Sequence, residues 1–79
     1  MKNLCGKTRT KDNPYEIWEA GDWTWYVLKK WQADDNKPYA RAFCLVVTPY
    51  TGDLGDLGDT YIADYKSVAQ CVYRDESVL

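Results

Sequence analysis

The stretch that decides the fold reads Trp23-Thr24-Trp25-Tyr26-Val27-Leu28-Lys29-Lys30-Trp31. It holds three of the four tryptophans of the chain. Aromatic and β-branched side chains at this density favour a long strand with a neighbour on each side. Alternation places the three tryptophans on one face of this strand, but Tyr26 and Leu28 make the other face apolar as well. We therefore expect both faces to be partly covered, or one aromatic face to bind a partner.

Three further segments have the composition of strands. Tyr15–Glu19 alternates apolar and acidic residues, and Gly21 can supply the turn that leads into the tryptophan-rich strand. Tyr39–Thr48 is a second long strand, one side of which carries only small residues and would let a helix approach closely. Pro49 ends that strand, since proline cannot donate to a sheet ladder. Thr60–Ala63 completes a predicted set of four strands.

The C-terminal segment has two interpretations. Ser67 and Gln70 have the spacing of a capping box, which favours a helix of about two turns beginning there. Val68, Val72 and Tyr73 favour a strand instead. We choose the helix, so the predicted fold is α+β: a four-stranded antiparallel β-meander with a short C-terminal helix on its small-residue face. Residues 1–13 are expected to form a basic, mobile N-terminal arm, and residues 14–79 a single small sheet domain.

Composition excludes several classes of protein. The chain has 79 residues, with 10 basic and 12 acidic side chains and a net charge of −2. That balance is weak for a nucleic-acid binder, which usually shows a basic patch. No run approaches the roughly 18 apolar residues of a membrane span, and the N-terminus lacks the apolar core of a signal peptide. Three widely spaced cysteines do not suggest a disulfide framework or a zinc site. We expect a cytoplasmic protein without a membrane partner.

The residues needed for most catalytic machinery are missing from the sequence. The chain contains no histidine, which removes Ser–His and Cys–His catalysis and most zinc chemistry. The glycines at 52, 55 and 58 are not followed by the Lys-Ser/Thr pair of a phosphate-binding loop. We therefore predict a protein that is not an enzyme, with no catalytic residues, no cofactor and no metal.

An acidic repeat follows the second long strand. Asp53, Asp56 and Asp59 recur at every third position within a Gly-Asp-Leu repeat, and three glycines in seven residues predict a loop rather than a strand. Hard cations bind several oxygens, but this spacing does not match an EF-hand loop. The ordinary interpretation, which we prefer, is a flexible acidic loop. A third interpretation is a contact surface for a basic partner.

The tryptophans also admit two interpretations. Trp23, Trp25 and Trp31 could stack the bases of a single-stranded nucleic acid, or they could pack the sheet, and we prefer packing. Exposed aromatic residues beside acidic loops also suit a protein-binding surface, which needs no pocket, metal or basic field. The candidate partner-binding residues are Asp53, Asp56, Asp59, Asp34, Asp35, Trp23, Trp25 and Trp31.

Five segments carry a resemblance: Asp12–Trp18, Ala20–Trp25, Val27–Trp31, Lys37–Cys44 and Gly58–Asp64. Together they resemble small proteins of actinobacterial phages and prophages that have no assigned activity. The Gly-Asp-Leu repeat departs from that pattern. The resemblance implies a setting in the cytoplasm of a bacterial host, where the chain would bind a host protein or ribonucleoprotein complex. We expect a phage-derived inhibitor of a host system, above all an anti-CRISPR or other anti-defence protein. The alternatives are a single-stranded nucleic-acid binder and an accessory phage structural protein, and an open sheet edge would also allow a homodimer.

Overall fold

The computed structural model describes residues 2–3, 7–32 and 41–75. These residues form one antiparallel sheet and a helix. The elements are β1 (Lys2–Asn3), β2 (Glu16–Ala20), β3 (Trp23–Gln32), β4 (Arg41–Val47), β5 (Asp56–Tyr61), α1 (Ile62–Lys66) and β6 (Gln70–Arg74). Five strands lie side by side in the order β5-β4-β3-β2-β6, and the two-residue β1 pairs with the far end of β3.

The tryptophan-rich stretch is the central strand, as predicted. β3 is ten residues long and pairs with β2 on one side and β4 on the other. Gly21, at φ 57°, lies in the two-residue connection from β2 to β3. The register between β3 and β4 shifts at Leu28, so this residue forms a β-bulge.

The predicted α+β class, an antiparallel sheet with one short helix, is confirmed, whereas the predicted number of four strands is wrong. β2, β3, β4 and β5 form a meander as expected, but the fourth strand spans Asp56–Tyr61 and not Thr60–Ala63, because Ile62 and Ala63 begin the helix. A fifth strand, β6, then pairs with the outer side of β2 instead of continuing beside β5. The chain therefore crosses from one edge of the sheet to the other between β5 and β6.

The predicted position of the helix is also wrong. The helix spans Ile62–Lys66, and the segment in which the capping-box spacing predicted a helix contains β6. Ile62 and Tyr65 are both buried and lie three residues apart, so they point from one side of α1 into the core. A helix of five residues is too short to show a hydrophobic period in the sequence.

The Gly-Asp-Leu repeat does not form a loop throughout, so the predicted flexible acidic loop is wrong for the last part of the repeat. Its last part belongs to β5, where Gly58 pairs with Cys44 and Leu57 with Leu45. Intrinsic strand propensity is a weak preference that pairing with an adjacent strand can override. Here β4 provides that adjacent strand over six consecutive residues.

The core lies on the face of the sheet that α1 covers, which we call the helical face. Tyr65 is central to it, with its ring 5.4 Å from Trp18 and 6.1 Å from Trp25 between centroids. Ala42 and Cys44 in β4 are fully buried there. Their small side chains leave the space that α1 occupies. The buried members of this cluster are Trp18, Trp25, Val27, Ala42, Cys44, Ile62 and Tyr65.

Part of the basic N-terminal segment contacts the sheet. The amide of Arg9 donates to the carbonyl of Leu28, and its guanidinium lies 3.9 Å from the centre of the Tyr15 ring and 2.6 Å from the Asp75 carboxylate. The Tyr15 hydroxyl donates to the carbonyl of Lys7 at 2.6 Å. The division into an arm and a domain remains a prediction. No helix in the described ranges has the length and apolar character needed to cross a bilayer.

Candidate protein-binding surface

The connection between β4 and β5 is held by its own hydrogen bonds. Thr48 is buried, and its hydroxyl oxygen accepts from the amides of Tyr50 and Thr51. The Thr51 hydroxyl oxygen in turn accepts from the amide of Thr48 at 2.9 Å. A second turn follows, in which the amide of Gly55 donates to the carbonyl of Gly52. The two threonines thus fix the start of this loop.

The two glycines of the loop have different roles. Gly52 and Gly55 both have positive φ, 70° and 67°, a conformation that side chains with a Cβ atom adopt at a cost. A Cβ atom at Gly52 would meet nothing within 4 Å, whereas at Gly55 it would lie 2.9 Å from both Leu45 Cδ1 and the carbonyl oxygen of Val46. The loop therefore packs directly against β4 at Gly55.

Large apolar side chains project from this hairpin into solvent. Tyr50 is 89% exposed, Leu54 is 90% exposed and Leu57, at the start of β5, is 62% exposed. Single exposed apolar residues are common on proteins, but three of this size on one short hairpin are a notable concentration. We define the hairpin surface as the exposed residues Tyr50, Asp53, Leu54, Asp56, Leu57 and Asp59.

The three aspartates of the repeat all belong to the hairpin surface but do not form one cluster. Asp53 lies in the loop, while Asp56 and Asp59 lie in β5. Asp56 pairs with Val46 and Asp59 pairs with Phe43, so the two carboxylates extend from opposite faces of the sheet. Among the described residues there is no group of three or more His, Cys, Asp or Glu side chains placed to hold a metal ion.

The tryptophan candidates separate in the structure. Trp23 is exposed and its ring lies 5.8 Å from that of Trp25. Trp25 is buried in the core, which removes its ring from contact with a partner in this conformation. The side chain of Trp31 lies outside the described residues, as do Asp34 and Asp35. A stacking platform on this face would therefore depend on Trp23, at the end of β3.

A buried carboxylate lies below the surface on the helical face. Glu16 is 1% exposed, and its side chain accepts hydrogen bonds from Trp18 Nε1 at 2.7 Å and Lys30 Nζ at 2.9 Å. Arg74 Nε lies 3.4 Å away. Burial alone would raise the pKa of Glu16, but the bonds from Lys30 and Trp18 and the two positive charges outweigh it, so the pKa lies below its ordinary value of 4.5. Each described residue that contacts this carboxylate lies in a strand of the sheet, which indicates a structural role.

Two other ionisable groups are buried in the core. Burial, with the nearby negative charges of Glu16 and Asp59, raises the pKa of Cys44 to about 12. Burial likewise raises the pKa of Tyr65, whose enclosed hydroxyl has no hydrogen-bond partner among the described residues. Perturbed pKa values mark a functional site when the groups face a cleft. Cys44 lies under α1 and Tyr65 is part of α1, so both groups belong to the packing of the core.

A shallow depression lies at the other end of β5. It is lined by Arg41, Asp59, Thr60 and Tyr61 and has a volume of about 120 Å³. The guanidinium of Arg41 donates to the Tyr61 hydroxyl at 3.2 Å and lies 5.1 Å from the centre of its ring. Pockets for drug-sized molecules hold roughly 300–1,000 Å³, so the depression is too small for a typical organic substrate.

Comparison of the chain with protein-family models, with curated proteins and with solved structures gave no match. Sequence reasoning identified the acidic members of the hairpin surface and missed its apolar members, Tyr50, Leu54 and Leu57. A signal was present: these residues lie among glycines and aspartates, without the periodicity that would bury them.

Proposed function

We propose that this chain is a non-catalytic protein-binding module that contacts its partner through the hairpin surface. The observation that carries the proposal is the near-complete exposure of Tyr50 and Leu54 on a loop fixed by Thr48 and Thr51. Exposed apolar side chains contribute little to folding, but they supply binding energy when a partner covers them. A loop already held in one conformation loses less entropy on binding. Tyrosine is also among the residues most enriched at binding hot spots.

The charge of the hairpin surface favours a basic partner. Asp53, Asp56 and Asp59 are all exposed, and residues 49–61 contain no lysine or arginine. Bases approach it from elsewhere in the fold: Lys11 Nζ lies 3.4 Å from the carbonyl oxygen of Asp53, and Arg41 lines a depression together with Asp59. Opposite charges on two surfaces accelerate their encounter and exclude partners of the wrong sign.

The resemblance to phage and prophage proteins supplies the setting of the proposal. A small acidic-surfaced protein in that setting would act by binding a host defence complex and blocking it. CRISPR effector complexes hold nucleic acid in positively charged channels, a surface to which exposed carboxylates are complementary. We therefore propose an anti-defence inhibitor with such a ribonucleoprotein complex as its target.

The test is affinity capture from a bacterial host lysate, with and without nuclease treatment. The wild-type protein is compared with a Tyr50→Ala/Leu54→Ala variant and with Val68→Ala, an exposed apolar residue outside the hairpin surface. We expect a stoichiometric protein partner that survives nuclease treatment and binds Val68→Ala as it binds the wild type. The double variant should lose about tenfold in affinity or more, as hot-spot truncation does.

Two outcomes would overturn the proposal. Recovery of nuclease-sensitive material alone would assign the chain to nucleic-acid binding. Equal binding of the partner by the wild type and the double variant would show that the contact lies elsewhere on the molecule. Circular dichroism of each variant checks that the substitutions leave the sheet folded.

A further inference from the structure

The two edges of the sheet differ in how well they are protected against an added strand. β6 forms one edge, and its register against β2 shifts so that Val72 has no partner of its own. A bulge of this kind disrupts the row of amide and carbonyl groups that another strand would need. β5 forms the other edge and pairs with β4 through six consecutive residues without a register shift. It also contains no lysine, arginine or proline, the residues that commonly guard an edge.

The outer side of β5 is open in the described part of the chain, since no other described strand pairs with it. Along a paired strand, the backbone groups of alternate residues point away from the partner. β5 therefore presents the amides and carbonyls of alternate residues along its outer side. Leu57 and Asp59 pair with Leu45 and Phe43, so their side chains lie on the face opposite α1. Antiparallel and parallel additions both use these groups.

Gly58 independently indicates that another chain approaches this edge. Glycine in the middle of a strand weakens it, and it often marks a place where another chain approaches closely. The backbone of Gly58 does not have positive φ, and a Cβ atom there would meet nothing within 4 Å. Neither conformation nor packing within the described chain thus requires glycine. The open space is suited to a large side chain from an added strand, since an aromatic residue beside an edge glycine stabilises the pair.

We propose that β5 receives an extended segment of the partner protein as an additional strand of the sheet. This inference rests on the proposed function and identifies the chemistry of the partner. Asp56 and Asp59 call for basic residues opposite them, Leu57 for an apolar residue and Gly58 for an aromatic one. In an antiparallel addition, the segment runs from the residue opposite Asp59 to the residue opposite Asp56. Its sequence pattern from the N-terminus is then basic–aromatic–apolar–basic.

A second copy of the chain fits this edge poorly. Pairing β5 with the β5 of another molecule would bring four carboxylates, two Asp56 and two Asp59, onto a single two-stranded ladder. Like charges close together across strands are destabilising. The charge of the edge therefore favours a basic segment over self-association.

The test uses a displayed library of random peptides of about ten residues, long enough to span β5. Peptides are selected on the wild-type protein and then measured against Leu57→Lys and Val72→Lys. These variants place the same residue at apolar edge positions of similar exposure, 62% in β5 and 53% in β6. We expect the selected peptides to share the basic–aromatic–apolar–basic pattern. Binding should fall by about tenfold or more in Leu57→Lys and change little in Val72→Lys.

Two further measurements identify the mode of binding. Methylating alternate backbone amides of a selected peptide removes the donors that strand addition uses, so one of the two methylation patterns should abolish binding. Gly58→Val should raise the melting temperature of the free protein, because valine favours strands, and should weaken the peptide by filling the open space. A purely structural glycine would not give this opposite pair of effects.

Several results would overturn the proposal. They are failure to enrich any peptide, equal binding to both lysine variants, tolerance of both methylation patterns, and a wild-type dimer in sedimentation that Leu57→Lys dissociates. Each is distinguishable from failure of the proposed function. If Leu57→Lys still captures the nuclease-resistant partner as the wild type does, the protein-binding function stands and strand addition is wrong. If no partner is captured but the peptides bind β5, the strand site stands and the lysate lacks its target.

Discussion

Replacing Glu16 with glutamine tests whether the buried carboxylate stabilises the sheet. The substitution removes the charge opposite Lys30, whose side chain is only 12% exposed. Breaking a buried ion pair from one side typically costs about 3–5 kcal/mol. Lys30 keeps some contact with water and Arg74 is more exposed, so we expect a loss of about 3 kcal/mol, at the lower end of that range.

This loss would be a large part of the total stability. Domains are stable by about 0.05–0.15 kcal/mol per residue, or roughly 4–12 kcal/mol for a chain of this size. In small domains each kcal/mol moves the melting temperature by about 4–8 °C, so Glu16→Gln should lower it by about 12–24 °C. The assay is urea and thermal unfolding at neutral pH, followed by tryptophan fluorescence. Glu19→Gln, an exposed position on the same strand, is the control and should change stability by less than about 0.5 kcal/mol.

Two further experiments test the same carboxylate. A Glu16→Leu/Lys30→Met variant removes both buried charges, so it should be more stable than the single variant, because the charge that stays, on Arg74, is 42% exposed to water. The lowered pKa of Glu16 contributes stability that is present above pH 4.5 and is lost as the pH falls through the lowered folded value. The difference between wild type and Glu16→Gln should therefore shrink in acid. If Glu16→Gln and Glu19→Gln unfold at the same urea concentration, the carboxylate does not stabilise the sheet as argued.

Three further predictions concern the core and the hairpin. Tyr65→Phe should leave stability unchanged or raise it by about 1 kcal/mol, because it removes an unpartnered buried hydroxyl. Tyr15→Phe should instead lower stability by about 1 kcal/mol, because it removes a hydrogen bond. Urea unfolding of the two variants measures both effects. Gly52→Ala should cost about 1 kcal/mol through its positive φ alone, and Gly55→Ala more, because its Cβ atom would also meet backbone; equal losses would contradict the contact with β4. In the folded protein at pH 8, Cys44 should resist iodoacetamide because its pKa is raised to about 12 and it is fully buried, while the exposed cysteine of β6 is alkylated; mass spectrometry of the peptides distinguishes them.

The centre of the fold could be predicted because local preference and tertiary structure agree there. Trp23–Gln32 is rich in aromatic and β-branched residues, and it occupies the position where a strand has neighbours on both sides. The small residues of β4 likewise indicated the face that a helix would cover, and Ala42 and Cys44 do lie under α1. Residues whose local preference matches the global fold are the ones from which a structure can be inferred.

The last third of the chain could not be predicted, because non-local pairing decides it. Gly58 lies in a strand only because β4 pairs with it, and Val72 lies in a bulge whose existence depends on β2. The capping-box spacing at Ser67 favours a helix locally. This preference is weaker than the pairing of β6 with the open edge of β2. Ser67 instead ends α1, where its hydroxyl donates to the carbonyl of Asp64.

The candidate surface could be predicted only in part, because packing between distant parts of the chain decides which of its residues are exposed. Composition alone placed the aspartates of the repeat in solvent, since charged groups are seldom buried without a partner. Alternation along β3 shows that Trp23 and Trp25 share a face of the sheet. It does not show how much of that face α1 covers. Because α1 covers Trp25 and leaves Trp23 exposed, their different environments depend on a helix that the sequence pattern did not reveal.

The position of α1 also explains why an edge strand and the exposed hairpin lie together at this end of the molecule. After β5 the chain turns onto the helical face and delivers β6 to the far side of β2, so β5 remains the outermost of the described strands on its side of the sheet. Had β6 continued the meander, it would have paired with β5 and covered its amides. The crossover therefore leaves the acidic strand open and places it directly after the loop that exposes Tyr50 and Leu54. Two features that favour association with another chain, an unguarded edge and exposed apolar side chains, thus occur on one hairpin, which is the arrangement expected where a partner completes the sheet.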